Sequence, residues 1–394
     1  MNKNSDKKAI LGLSSGHFVA DMYSSAIIPL YPYLAQKLGI TLSVISLIVS
    51  LGHLTSSMLQ PLFGFYSDKM TKRAFMINGL IIGAIFIPMT ILAQSPFVLC
   101  LFLILGMFGN SLFHPQVTSL VKTFCFNNPN VTKYMGIFMG LGTIGYAIGP
   151  YISSNLVEQF GEISLCYITI LGLITALILY YVVPKIPKRS ITRTKDSFIQ
   201  ILKDILSNKV CNSLILISVV KSAMGITFGT FIPFILKDYG YKLNEIGLIV
   251  TLFYLLSGIS MLTSAKLEKL IGASNIIRVS FFTILPLVAI FNNLLKINPD
   301  IAVIIFILSG YFVFLSVSVT IVAAQKLVPK HSGVISGIMQ GFSWGLGALT
   351  LAPMGYIGEK FGVITILFIM SILALITGIF GLTKGVREAL SNNY

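Results

Sequence analysis

Charge is what this sequence has least of. Only 10% of its 394 residues are Asp, Glu, Lys or Arg, and 55% are hydrophobic. A soluble globular domain carries about 25% charged residues. The deficit excludes a soluble fold and leaves a polytopic membrane protein. Acid is scarcer still, 13 Asp and Glu against 28 Lys and Arg, for a net charge of +15. That excess is not a nucleic-acid surface, because the bases sit in short loops between apolar runs and form no amphipathic face. The cysteines are few (Cys100, Cys125, Cys166 and Cys211) and show neither paired nor metal spacing. They read as small apolar packing residues. No phosphate-cradling glycine loop and no Ser/His/Asp or metal-ligand spacing appears, so ATP is excluded as driver and nothing points to an enzyme, a cofactor or a resident metal. The basic stretch from Met1 to Lys8 leads into an apolar run too long for a signal-peptide core, without a small-residue cleavage pattern. The first helix is therefore expected in the mature protein.

What the chain has in abundance is long apolar runs. Breaks at polar, Gly or Pro clusters predict twelve spans, at 10–37, 42–66, 75–93, 97–121, 134–158, 163–183, 210–237, 243–268, 275–292, 299–324, 331–357 and 363–382. Each has about the length needed to cross a hydrocarbon core of ~30 Å. Of the Lys and Arg residues, 22 fall on the side of the N-terminus, five on the other, and Lys221 inside a span. The positive-inside rule then predicts both termini in the cytoplasm.

The longest loop, 184–209, divides the chain into six-span halves, 1–183 and 210–394. A shift of 201 residues superimposes them without a gap: Pro32 on Pro233, Gly39 on Gly240, Leu42 on Leu243, Gly109 on Gly310, Gly136 on Gly337, Gly140 on Gly341, and Glu158-x-Phe160-Gly161 on Glu359-x-Phe361-Gly362. Two parallel six-helix repeats around a central pathway are the architecture of many secondary transporters. The expected fold is an all-α bundle of twelve transmembrane helices in two pseudo-symmetric halves.

Span 1 is the odd one among the twelve, since it carries His17 and Asp21 within an apolar stretch. At i and i+4 they share one helical face. A carboxylate in mid-membrane costs roughly 2.5–3.5 kcal/mol on insertion scales, so it is kept where it faces a wet cavity and has a task. Asp21 is the candidate for a coupling proton, with His17 one turn toward the cytoplasm. Lys221 is the only base within a span, and the 201 shift places it on Ala20, next to Asp21. Three readings stand open: an ion pair with Asp21, a site for an anionic substrate group, or a side chain snorkelling to the inner interface. Asn110 and His114 share a face of span 4, and His53 lies in the middle of span 2; with Tyr23 and Gln340 they are candidate substrate contacts.

Three motifs resemble those of the major facilitator superfamily, and the resemblance spans the chain. The loop after span 2 reads Gly64-Phe-Tyr-Ser-Asp68-Lys69-Met-Thr-Lys72-Arg73, similar to that family's G-x-x-x-D-R/K-x-x-R/K-R/K signature. The resemblance implies that Gly64, Asp68, Lys69 and Arg73 latch one conformation by setting the acid at an adjoining helix end. Span 5 carries Gly136-x8-Gly145-x3-Gly149-Pro150-x2-Ser153-Ser154. This resembles the glycine motif of proton-driven antiporters in the superfamily, with two serines in place of the last two glycines, and implies that Gly145, Gly149 and Pro150 shape a gate through close helix approach. His17-x3-Asp21, Pro29-Leu-Tyr31-Pro32 and Phe113-His114-Pro115 resemble the fosmidomycin-resistance branch of bacterial efflux proteins, with Ala20 and Gln116 departing from its usual residues. The resemblance implies a monomeric, proton-coupled exporter of a small organic molecule, working by alternating access in a bacterial inner membrane. The alternative is a proton-coupled importer of an anionic metabolite, with Lys221 as the anion site.

Overall fold

The computed structural model describes residues 3–67, 73–125, 131–184 and 198–391. All regular structure among them is helical. The first helix, α1 (Lys3–Ala26), stops where Pro29 and Pro32 withdraw two backbone donors. The chain passes through a 3-10 turn at Ile28–Leu30 and resumes as a short helix, Tyr31–Leu38. Eleven further helical runs among the described residues are long and apolar enough to cross a membrane: α2 (Leu42–Gly64), α3 (Ala74–Leu92), α4 (Pro96–Phe124), α5 (Lys133–Phe160), α6 (Glu162–Val182), α7 (Lys209–Asp238), α8 (Leu243–Ile271), α9 (Ala273–Leu295), α10 (Pro299–Leu327), α11 (Val334–Phe361) and α12 (Val363–Phe380). The first expected span falls outside that set because of its polar residues and its proline break.

Local sequence explains where the helices start and stop. Ser95 and Asn298 cap α4 and α10, each accepting a hydrogen bond from the residue three places on, with Pro96 and Pro299 at the first helical position. Gly39, Gly161, Gly240 and Gly362 have positive φ, which a side chain would strain. They fall in two pairs 201 residues apart, 39 with 240 and 161 with 362, so the repeat seen in the residues is present in the backbone.

Two compact units form. One comprises Met1–Ile191 with Leu236–Tyr254, the other Thr192–Ile235 with Leu255–Tyr394. Within the first, α1 lies against α5 at almost backbone distance. A Cβ on Gly145 would collide with the carbonyl of Phe18, and one on Gly149 with that of Met22. The start of α8 joins the same unit: Tyr151 donates its amide to Thr251 at 3.1 Å, and Gly247 sits against Pro150 and Ser154. The small residue at that contact is thus on α8, opposite the serine that stands in the glycine position of the antiporter-type motif. In the second unit α7 packs on α11, with Gly347 closely opposed to Ala223.

Candidate functional site

Asp21 is held by two imidazoles. His17 Nε2 lies 3.1 Å from Oδ2, and His114 Nε2, from α4, lies 3.2 Å from Oδ1. His17 is positioned by α5: its Nδ1–H donates to the carbonyl of Phe138 at 2.9 Å, and the two rings stack at 4.2 Å with an interplanar angle of 22°. The His17 and His114 rings meet edge-on at 5.2 Å. Gly142 completes the enclosure, since a Cβ there would fall 2.7 Å from Asp21 Oδ2 and closer still to the His17 ring. His17 is buried and the other two are half-buried. The carboxylate therefore has both oxygens occupied by side chains that can carry a proton or release one.

A turn away, Asn110 donates to Ser24 Oγ at 2.8 Å and to Ser56 Oγ at 3.5 Å, tying α4 to α1 and α2. A small cavity of about 10 Å³, lined in part by Tyr23, Ser24 and Asn110, adjoins this network. That is room for about one water molecule, not a substrate. Tyr23 itself donates its hydroxyl to the carbonyl of Ile168 and so serves the packing of α1 on α6. His53 is half-buried on α2, with no hydrogen bond or ion pair among the described residues.

Of the loop signature, Asp68, Lys69 and Lys72 lie outside the described residues. Gly64 leaves only ordinary contact distance, 3.6 Å, to the Pro115 ring. Arg73 donates to the carbonyls of Tyr180, at 2.8 Å, and Val183, and its guanidinium lies 5.2 Å from the Tyr180 ring. It thereby satisfies carbonyls that the end of α6 leaves open.

In the second unit, Lys221 is only 3% exposed, so its ammonium does not snorkel, and it makes no hydrogen bond or ion pair among the described residues. The hydroxyl of the next residue, Ser222, is buried without a partner too. Gln340 is exposed, within a π-helical turn at Ile338–Phe342. Such turns cluster at functional sites. Here the turn coincides with a hydrogen bond from Ser218 Oγ to the carbonyl of Met339, 2.6 Å.

Four participants escaped sequence reasoning. Phe138 acts through its carbonyl and its ring, and a backbone acceptor leaves no mark in residue types. Ser24 and Ser56 are two among many serines. Gly142 was in principle findable, since it lies between Gly136 and Gly145 of the motif and one turn beyond Phe138.

The fold is that of a secondary membrane transporter. The Major Facilitator Superfamily model matches residues 13–352, and the chain belongs to that family, whose members are transporters and not enzymes. It is 24% identical over 381 residues to the fosmidomycin resistance protein of Escherichia coli (strain K12), covering 93% of this chain and 90% of that one. Over 366 residues it is 23% identical to YfnC, an MFS-type transporter of Bacillus subtilis (strain 168), covering 88% and 85%. The quinolone resistance protein NorA of Staphylococcus aureus is 25% identical over 185 residues, 47% of each chain. Among solved structures, a mutant of the nucleoside transporter NupG superimposes with a TM-score of 0.78 at 18% identity, covering 95% of this chain and 99% of that one.

Proposed function

We propose that this chain is a proton-coupled antiporter that exports a small organic molecule across a bacterial inner membrane, both termini lying in the cytoplasm. The observation that carries the reading is the Asp21 carboxylate of α1 clamped between His17 and His114. An acid kept at this cost needs a task. A proton delivered to Asp21 removes the charge that both imidazoles answer, and so loosens α1 where it meets α4 and α5. Because Gly142 leaves no slack against His17 and Asp21, a change in their arrangement must be taken up by the α1–α5 seam. Coupling in this scheme is the linkage between carboxylate charge and the packing of those helices. The resistance proteins among the relatives support export, and the glycine motif of α5 supports exchange.

The test is transport in proteoliposomes under an imposed pH gradient. Asp21→Asn should abolish gradient-driven flux while keeping substrate counterflow. Gradient-driven flux at the wild-type rate in Asp21→Asn ends the proposal. One observation favours the second reading, import of an anionic metabolite: Lys221 is buried without a partner among the described residues, and a substrate anion would supply one. Counterflow driven by carboxylated or phosphorylated compounds on the outer face would select it.

A further inference from the structure

We propose that His17, Asp21 and His114 form a binding site for a late first-row divalent cation, with zinc and cobalt(II) as its chemical type. His17 gives its Nδ1–H to the carbonyl of Phe138, so the neutral ring has a bare lone pair on Nε2. That lone pair points at Asp21 Oδ2, 3.1 Å away. Two acceptors do not sit at that distance unaided; a positive centre has to lie between them. A proton is one such centre and a metal ion is the other.

Several features favour a metal-competent arrangement over a chance cluster. One ligand atom from each of the three residues lies within 4.8 Å of the others. The separation of His17 Nε2 from Asp21 Oδ2, 3.1 Å, is close to the edge of a tetrahedron with metal bonds of about 2.0–2.1 Å. His17 has the outer-shell partner typical of a metal-bound imidazole, a carbonyl that fixes tautomer and ring plane, and Phe138 stacks on the same ring. Gly142 presses on both His17 and Asp21, which limits their freedom before any ion arrives. Two imidazoles and one carboxylate suit zinc and cobalt(II) and are a poor match for magnesium or calcium. With three protein ligands, a fourth position remains for water.

Binding itself does not depend on the proposed proton role, but its consequence does. An ion held there would occupy the place of the coupling proton and block gradient-driven flux. The experiment uses the full chain in nanodiscs, titrated with cobalt(II) and read by visible d–d absorption, with zinc and magnesium as competitors. One tetrahedral site is expected, displaced by zinc and unaffected by a large excess of magnesium. His114→Ala and Asp21→Asn should each weaken cobalt(II) by at least ~10-fold, with monodispersity confirming that the variants are folded. No tetrahedral band, or unchanged affinity in both folded variants, overturns the site. Tight cobalt(II) binding that leaves gradient-driven flux intact keeps the site and overturns the proton role. Loss of flux in Asp21→Asn without any cobalt(II) binding does the reverse.

Discussion

The first helices of the two units, α1 and α7, make the same backbone-directed bond and then part company. His17 donates to the carbonyl of Phe138 on α5, and Ser218 to that of Met339 on α11. Both members of one bond lie 201 residues from both members of the other. Three positions on, Ala20 corresponds to Lys221; at the next, Asp21 corresponds to Ser222. In the first unit the ionisable group has two imidazole partners. In the second, the ammonium and the neighbouring hydroxyl are buried with none among the described residues. The shared bond holds a helix pair together and tolerates a change of donor. The divergent positions hold the charges, and they distinguish a unit that answers its own charge from one that leaves it open.

The largest test of that contrast is Asp21→Ala. Removing one member of a buried, hydrogen-bonded group costs about 3–5 kcal/mol in proteins, so the melting temperature of the purified transporter should drop sharply. An unchanged melting temperature would mean that the two imidazoles contribute nothing to holding the acid. Close behind comes Gly145→Ala. The added methyl meets the carbonyl of Phe18, which cannot rotate away, and overpacking of this kind costs about 1–3 kcal/mol. On the same helix Gly136 and Gly140 have open space at the Cβ position, and their alanine variants should stay within about 0.5 kcal/mol of wild type. If all three behave alike, close approach is not what the glycine motif does here.

Lys221→Met should act in the opposite direction from Asp21→Ala. An ammonium in mid-membrane costs roughly 2.5–3.5 kcal/mol on insertion scales, and methionine keeps most of the volume. Replacing the base should therefore raise thermal stability by about 2 kcal/mol. Anion-driven counterflow should fall if the charge serves a substrate. A destabilised Lys221→Met would reveal a counter-charge for the lysine and erase the difference between the units.

Much of this was legible beforehand, for physical reasons. Helices of membrane length announce themselves through hydropathy, and the 201-residue repeat through Gly39, Gly161 and their partners, whose φ angles only glycine takes freely. His17 and Asp21 were legible as neighbours because i and i+4 share a helical face. That His114 closes on the same carboxylate was not, since 93 residues separate it from Asp21 and only the packing of α4 on α1 joins them. Tyr23 shows the converse case. A tyrosine near the acid suggests substrate contact, and the packing adds a partner for its hydroxyl, the carbonyl of Ile168. Residue type gives hydrogen-bonding capacity but not the partner that consumes it.

The smallest effect is expected where the two units agree. Ser218→Ala removes only the hydroxyl that reaches Met339, 2.6 Å away. Side-chain hydrogen bonds between membrane helices average about 0.6 kcal/mol, because the unfolded helices also find partners. The carbonyl left behind sits in the π-helical turn Ile338–Phe342, where irregular backbone can shift to accept another donor. The melting temperature should thus move by a degree or two, and transport should persist. In His17→Ala the corresponding bond is lost together with one arm on Asp21, so gradient-driven flux should fail and the melting temperature should fall further than in Ser218→Ala. Equal transport by the two variants would show that the bond to the fifth helix is all that His17 provides, and that the imidazole has no part in coupling.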